Sequence, residues 1–235
     1  MTRFIRSTGR GTMSIIYLVR HAQASFGTEN YDRLSELGRR QSRWLGEHFA
    51  ARGLRFSRVV AGTLTRQQDT AREIVAAMGE GPGTLDCHAG LDEYPAEALY
   101  RAFAGRDPLA HQRADFKDYW RTFRAAMQAW AQDSLADVPE TWEMFGTRIG
   151  QALDAACAGA GRDDRVLVVS SGGAIGRAVA DITESPPRTA IELNLQFRNT
   201  AYCELIAHGA TRRLLSFNNL PHLDHPERRS AVTYA

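Results

Sequence analysis

The sequence predicts an α/β fold, a three-layer α/β/α sandwich with a mainly parallel central sheet and a helical insertion. Two observations support this prediction. Short apolar runs rich in β-branched residues alternate with segments of helical periodicity, which is typical of a parallel sheet covered by helices on both faces. Residues 85–161 break the alternation with a long, mostly helical segment, which we interpret as an insertion over any pocket that the sheet forms.

Composition narrows the class of protein. The chain of 235 residues is 43% hydrophobic and 24% charged, which suits one soluble domain that buries its core without disulfides or metals. A net charge of +2 gives no global basic field for nucleic acid, and no run reaches the ~18 apolar residues of a membrane span. Because Cys87, Cys157 and Cys203 are far apart and form no CxxC pair, we expect no zinc site and a cytoplasmic location.

We divide the chain into a core domain and two terminal segments. Residues 1–13 lack the apolar region of a secretory signal, so we expect either a disordered tail or an upstream start with Met13 as the natural one. The core domain is expected to span residues 14–225, with the insertion at about 85–161, and residues 226–235 to form a C-terminal tail.

The first half predicts two strand–helix units. The apolar run 15–19 reads as a buried strand, and after a polar loop Ser35 can cap a helix. Residues 58–61 predict a second strand, followed by a helix that Thr63 caps and Gly79 ends.

In the insertion, aromatic and apolar side chains fall on one helical face at 116–130 and again at 142–153. These faces are interpreted as core or helix–helix packing, with a lid that walls a substrate pocket as the alternative. Both interpretations can hold for different residues.

The second half resumes the alternation. Residues 165–170 predict another buried strand, and a helix follows the Ser171-Gly172-Gly173 turn and ends at the Pro186-Pro187 pair. Two later strands are predicted at 202–206 and 213–217.

Polar clusters follow three of the predicted strands, at the ends where open α/β sheets bind ligands. Arg20 and His21 follow the first strand, and together they offer a planar fork for phosphate oxygens and an imidazole nucleophile. Arg66 lies in a first helical turn, where the helix dipole disfavours a cation unless an anion binds there too. Gly172 lies between a strand and a helix, where a glycine lets backbone N–H groups approach an oxyanion.

Each cluster also has a plain structural explanation. His21 could be a satisfied loop histidine, and Arg66 a solvated arginine paired with Asp69. The glycines could serve tight packing alone.

Five motifs in order resemble the histidine phosphatase (phosphoglycerate mutase-like) superfamily. They are Tyr17-Leu18-Val19-Arg20-His21-Ala22-Gln23, Leu34-Ser35-Glu36-Leu37-Gly38-Arg39-Arg40-Gln41, Ala61-Gly62-Thr63-Leu64-Thr65-Arg66-Gln67-Gln68-Asp69-Thr70-Ala71, Val168-Val169-Ser170-Ser171-Gly172-Gly173 and Asn218-Asn219-Leu220-Pro221-His222-Leu223. Each motif is weak alone, but their joint occurrence in the family's order is specific.

The resemblance implies a role for each matching residue. His21 would be the nucleophile that becomes phosphorylated, and Glu93 the general acid, with Asp92 as the alternative. The phosphate-binding set would be Arg20, Arg66, Ser171, Gly172 and Gln23.

The chain departs from the family pattern at two positions. Ala22 replaces the usual glycine, and Ser171 stands where the family has a second catalytic histidine. Serine keeps a hydrogen-bond donor but loses the positive charge, and losing one such donor commonly costs about 10²–10³ in rate.

The expected function is a metal- and cofactor-independent phosphatase that hydrolyses a phosphomonoester or phosphohistidine through phosphorylated His21, with an activity that the Ser171 replacement can lower. Its partner would be a small phosphorylated substrate or a phosphoprotein. The alternative is a phosphate-binding module with weak or no turnover, which the Ser171 replacement favours. A phosphomutase is a weaker alternative, because the chain lacks the R-H-Y-G-x-L-x-G-L-N-K stretch of the cofactor-dependent mutases.

Overall fold

The computed structural model describes residues 13–25, 32–79, 81–209 and 211–234. The strands are β1 Met13–Arg20, β2 Arg58–Ala61, β3 Asp86–Cys87, β4 Arg165–Ser170, β5 Tyr202–His208 and β6 Thr211–Asn219. The α-helices are α1 Glu36–Ala51, α2 Thr65–Met78, α3 Ala96–Ala104, α4 Pro108–Ala114, α5 Phe116–Ala131, α6 Trp142–Cys157, α7 Gly172–Ile182 and α8 Pro187–Gln196. Short 3₁₀ helices occur at Ala89–Leu91, Pro221–Leu223 and Pro226–Ala231.

The described strands form one sheet in the order β3-β2-β4-β1-β5-β6. The β1–β4, β2–β4 and β2–β3 pairs are parallel, whereas β5 runs antiparallel to both β1 and β6. The predicted α/β class with a mainly parallel sheet is therefore confirmed. The carboxyl ends of β1, β2 and β4 meet at one edge of the sheet, and the site forms there.

Two apolar clusters lie on the two faces of the sheet because successive strand residues point to opposite faces. Tyr17 and Val19 of β1 pack with α1 and α2 on one face. Ile16 and Leu18 pack on the other face with α7 and residues of the insertion. Helices thus cover both faces, as the alternating sequence pattern predicts.

The insertion helices contribute mainly to the second core cluster. Trp130 of α5 and Phe145 of α6 are each 1% exposed, and their rings pack 5.3 Å apart. Phe116, at the start of α5, is by contrast 61% exposed. The packing interpretation of the two aromatic faces holds for most of their residues.

Several local predictions need correction. Helix α2 is preceded by Leu64 rather than capped by Thr63, because the Asp32 carboxylate accepts the Thr65 N–H from outside the helix. The Pro186-Pro187 pair does not end a helix but begins α8, since proline suits the first turn, where no N–H partner is needed. The two-residue strand β3, too short to show any periodicity, joins the sheet edge from within the insertion.

The described residues of the two terminal segments are part of the fold and do not form tails. Met13 belongs to β1 and pairs with His208, whereas residues 1–12 lie outside the described residues. Residues 226–234, here called the C-terminal segment, pack against α1. Gln41 Nε2 donates to Ala231 O at 2.7 Å and to Thr233 Oγ1 at 2.9 Å.

Candidate active site

The strand register brings the predicted clusters together. Arg20 pairs with Ser170 across β1 and β4, and Ala61 pairs with Val169 across β2 and β4. The residues that follow these strand ends therefore lie side by side at one edge of the sheet. The His21 N–H donates to Ser170 O at 2.8 Å, which fixes the histidine against the end of β4.

His21 is a buried neutral imidazole. Its side chain is 5% exposed, and Nδ1 lies 2.8 Å from Ala22 O. A carbonyl only accepts, so Nδ1 carries the proton and Nε2 keeps its lone pair. Burial, with Arg66 and Arg20 nearby, holds the pKa of His21 well below its ordinary value. The imidazole thus offers a nucleophilic nitrogen at neutral pH.

Arg66 lies directly against that nitrogen. Its Nε donates to His21 Nε2 at 3.2 Å, and its Nη1 lies 2.7 Å from Asp32 Oδ1. Asp32 also accepts the Thr65 N–H at 2.8 Å. Its negative charge therefore offsets the unfavourable placement of the Arg66 cation at the start of α2. Burial opposes ionisation of Asp32, but the bonds from Thr65 and the Arg66 charge outweigh it and leave the pKa lowered.

Arg20 and Gly172 approach each other closely. An Arg20 Nη1–H donates to the carbonyl of Phe197, which follows α8. A Cβ at position 172 would lie 3.4 Å from Arg20 Nε and 2.7 Å from Asn194 Oδ1. Only a glycine lets the start of α7 come this near to the arginine and the asparagine.

Glu93 enters the site, whereas Asp92 does not. Glu93 Oε2 accepts the Gly173 N–H at 3.1 Å, at the first turn of α7. Burial raises the pKa of Glu93, although the Gly173 N–H and Arg66 oppose the change. Asp92 instead accepts the backbone N–H of Thr63 at 2.6 Å and the Thr63 hydroxyl. A carboxyl group with a raised pKa is suited to donate a proton.

An arginine from the insertion holds the segment that carries Glu93. Arg148 Nη1 donates to Gly90 O at 3.0 Å and to Asp92 O at 2.8 Å, and Nη2 donates to Glu140 Oε2 at 3.0 Å. The sequence gives no signal for these two residues, because Arg148 lies on the aromatic-rich helix α6, Glu140 lies in the loop before it, and neither belongs to a motif.

Ser171 is fully buried and is bonded to a residue that sequence analysis also missed. Its Oγ accepts from Gln67 Nε2 at 2.8 Å, and both side chains are 0% exposed. Gln67 follows Arg66 directly, and this adjacency was the only signal for it in the sequence.

Gln23 lies apart from this group. Its Oε1 accepts from Ser35 Oγ at 2.8 Å, and its N–H donates to Gln41 Oε1 at 2.9 Å. These bonds commit Gln23 to the start of α1. Among the described residues it has no hydrogen bond to His21, Arg20 or Arg66.

The described ranges contain neither a membrane-spanning helix nor a metal-binding cluster. None of their helices is long and apolar enough to cross a bilayer, and they hold no group of three or more His, Cys, Asp or Glu able to hold a metal ion.

Comparison with solved structures supports the same fold. Phosphoglycerate mutase from Bacillus anthracis is 18% identical, with a TM-score of 0.64, covering 90% of this chain and 96% of that one. A phosphoserine phosphatase mutant from Entamoeba histolytica, in complex with phosphoserine, is 16% identical, with a TM-score of 0.64 and coverage of 89% and 99%. A mycobacterial glucosyl-3-phosphoglycerate phosphatase is 19% identical, with a TM-score of 0.62 and coverage of 88% and 99%.

Sequence comparison gives a family assignment but no individual relative. No curated protein matches the chain. The model of the histidine phosphatase superfamily (branch 1) matches residues 16–220, which include most of β1, the end of β6 and every residue of the site described above. The protein therefore belongs to the histidine phosphatase superfamily, branch 1.

Proposed function

We propose that this protein is a phosphatase that hydrolyses a phosphomonoester or a phosphohistidine through a phosphohistidine intermediate on His21. The observation that carries the proposal is the buried, neutral His21, whose Nε2 lies 3.2 Å from Arg66 Nε. A histidine kept only for packing would not need an arginine on its unprotonated nitrogen. Family membership supports phosphoester chemistry in general.

The phosphoryl group would bind between the two arginines and the start of α7. The Arg66 guanidinium, whose Nε donates to His21 Nε2 in this structure, would donate to phosphoryl oxygens instead. Arg20 and the backbone at Gly172 would contact the same group from the other side. Ser171 would add a hydroxyl donor.

In the first step, the Nε2 lone pair of His21 attacks phosphorus as the bond from phosphorus to the leaving oxygen breaks. The Glu93 carboxyl group gives its proton to that oxygen, which departs as an alcohol. The raised pKa of Glu93 favours the protonated form that this step needs. Phosphohistidine and the Glu93 carboxylate remain.

In the second step, the Glu93 carboxylate takes a proton from a water molecule whose oxygen attacks phosphorus. The bond between phosphorus and His21 Nε2 breaks, inorganic phosphate leaves, and the histidine returns to its neutral form. The proton on Nδ1, which is hydrogen-bonded to Ala22 O, stays in place throughout.

The substrate class is a small phosphorylated molecule or a phosphoprotein. The phosphoserine phosphatase from Entamoeba histolytica was solved with phosphoserine and with 3-phosphoglyceric acid, which makes both compounds reasonable first substrates. A cytoplasmic location stays a prediction, and so does independence from metal ions.

The test is hydrolysis of a small aryl phosphate by EDTA-treated wild type, His21→Ala, Glu93→Gln and the control His208→Ala, which alters an exposed residue at the end of β5. We expect His21→Ala to abolish activity, Glu93→Gln to slow it, and His208→Ala to leave it unchanged. Mass spectrometry of rapidly quenched wild type should detect phosphate on His21. Activity that vanishes with EDTA and returns with a divalent ion would contradict the proposal.

A phosphate-binding module is the second candidate. The observation that favours it is Ser171, a neutral residue at a position where the resemblance implies a second histidine. Phosphate binding by an inert wild type, lost in an Arg66→Ala variant, would support this candidate instead.

A further inference from the structure

Gln67 and Ser171 form a buried hydrogen-bonded pair next to Arg66 of the site. Gln67 is on the first turn of α2, and Ser171 directly precedes α7, 104 positions further along the chain. The two side chains are fully buried, and Gln67 Nε2 lies 2.8 Å from Ser171 Oγ. The preceding residue, Arg66, contacts the nucleophile.

The orientation of the Gln67 amide is determined by Leu91. Gln67 Nε2 lies 3.1 Å from Leu91 O, and a carbonyl oxygen can only accept a hydrogen bond. The amide nitrogen therefore faces both Leu91 O and Ser171 Oγ and uses one hydrogen for each. It follows that Ser171 Oγ accepts from Gln67 and that its own hydrogen points elsewhere.

The hydroxyl hydrogen of Ser171 has no hydrogen-bond acceptor assigned among the described residues. Ser171 is the N-cap of α7, yet its side chain accepts no hydrogen bond from that helix, which a serine at this position commonly does. The Gly173 N–H of the first turn is used by Glu93 instead. Among the described residues, the hydrogen bond of the Ser171 hydroxyl is the one that it accepts from Gln67 Nε2.

The amide oxygen of Gln67 is poorly accommodated. Oε1 is buried and has no hydrogen-bond partner among the described residues. It also lies so near Gly62 that a Cβ there would be 1.9 Å away. Buried polar atoms without partners are rare and mark places where another need outweighs stability. For Gln67, that need is the pair of hydrogen bonds that Nε2 donates to Leu91 O and Ser171 Oγ.

We propose that Gln67 is a positioning residue that orients the Ser171 hydroxyl as a hydrogen-bond donor to the phosphoryl group. By accepting from Gln67, the Ser171 oxygen is held in one orientation, and its hydrogen is directed at the group in transfer. Both side chains are neutral at all ordinary pH values, so the donor does not depend on protonation. This inference rests on the proposed function and deepens it.

The pair also explains why a histidine does not simply fit at position 171. An imidazole is longer than a hydroxymethyl group, and the Gln67 amide already occupies the space 2.8 Å beyond Ser171 Oγ. We therefore expect Ser171→His alone to be no more active than wild type. The double variant Gln67→Ala/Ser171→His removes the amide and should be at least tenfold more active than Ser171→His.

The test compares kcat and KM for Ser171→Ala, Gln67→Met and the double variant Gln67→Met/Ser171→Ala in the full-length protein. Loss of one preorganised donor slows reactions by about 10²–10³, so we expect kcat of Ser171→Ala to fall about 10²-fold with little change in KM. Gln67→Met should lower kcat about tenfold, because the hydroxyl remains but is no longer held. The double variant should match Ser171→Ala within about twofold, since Gln67 acts only through the serine.

Two controls separate positioning from a structural role. Gln67→Met keeps the volume and removes the unpartnered oxygen together with the two hydrogen bonds of Nε2, so its Tm should stay close to that of wild type while kcat falls. Gln68→Ala alters the neighbouring glutamine, whose Nε2 donates to Thr63 O near the surface, and should leave kcat unchanged. A Tm of Gln67→Met that falls in step with kcat would overturn the inference.

Binding of orthovanadate, measured by calorimetry, distinguishes failure of this inference from failure of the proposed function. If wild type is inert but binds vanadate, and Ser171→Ala and Gln67→Met weaken binding non-additively, the pair is an oxyanion donor and only turnover is refuted. If wild type is active and His21-dependent but neither variant changes kcat, the inference is overturned and the proposed function stands. If vanadate binding and activity are both independent of the pair, the inference is overturned whatever His21 does.

Discussion

Replacing Arg148 by lysine should loosen the segment that carries Glu93. The guanidinium donates to Gly90 O at 3.0 Å and Asp92 O at 2.8 Å while it forms a two-pronged ion pair with Glu140. A lysine ammonium keeps the charge but is a single point, so it cannot span the carboxylate and both carbonyl groups. We expect it to lose about two of these bonds.

The size of the effect follows from burial. The side chains of Arg148 and Glu140 are 24% and 14% exposed, so solvent screens the pair only in part. Hydrogen bonds to charged groups contribute about 1.5–3 kcal/mol each, and loss of two at the lower end is about 3 kcal/mol. For a domain of this length, that corresponds to a Tm lower by about 6–12 °C. Misplacement of Glu93 by about 1 Å should lower kcat about 10²-fold.

The assay is thermal unfolding together with steady-state kinetics, with Arg124→Lys as the control. Arg124 pairs with Glu192, and both side chains are nearly half exposed, so this substitution should cost at most about 1 kcal/mol. KM should change little in Arg148→Lys, because Arg148 does not contact the phosphate-binding groups. Equal Tm values for the two variants would refute the reasoning.

Three further predictions test the site and the packing around it. As pH rises through the raised pKa of Glu93, kcat/KM should fall in wild type but not in Glu93→Gln. Because the pKa of His21 lies well below 6.5, kcat/KM should not fall as pH is lowered through 6.5, and such a fall would contradict the assignment of His21 as a neutral nucleophile. Gly173→Ala places a Cβ 2.1 Å from the Tyr94 ring and 2.3 Å from Glu93 Oε1, and it should lower kcat about 10²-fold. Gly150→Ala, with nothing within 4 Å, should raise stability by up to about 1 kcal/mol, and a fully active Gly173→Ala would count against Glu93. Gln41→Ala should cost about 2 kcal/mol and speed hydrogen exchange in the C-terminal segment, and unchanged exchange there would mean that other contacts hold it.

Local patterns were sufficient wherever one short segment decides its own structure. The run that became β1 and the Ser35 cap of α1 were both predicted, the cap because its hydroxyl accepts the N–H of Gly38 only three residues away. The start of α2 was not predicted correctly, because the carboxylate that accepts the Thr65 N–H belongs to Asp32, 33 positions away. The sequence predicted that Pro186-Pro187 ends a helix, whereas Pro187 begins α8, because proline is common both after the end of a helix and in its first turn.

The candidate site divides in the same way. Motifs predicted Arg20 and His21 at the end of one strand and Arg66 in the helical turn after another, and the parallel register brings these residues to one edge of the sheet. Sequence left Glu93 and Asp92 as alternatives, and the choice depends on which carboxylate the start of α7 accepts.

By itself, the sequence determined the α/β class, the order of the strands and helices along the chain, and the imidazole and guanidinium groups at the strand ends. These follow from hydrophobic periodicity and from short motifs, which are properties of neighbouring residues. Only the tertiary structure decided that Gln67 holds Ser171, that Arg148 braces the Glu93 segment and that Asp32 caps α2. Each of these contacts joins residues 33 or more positions apart, and such pairings depend on how helices pack on the sheet rather than on any local pattern.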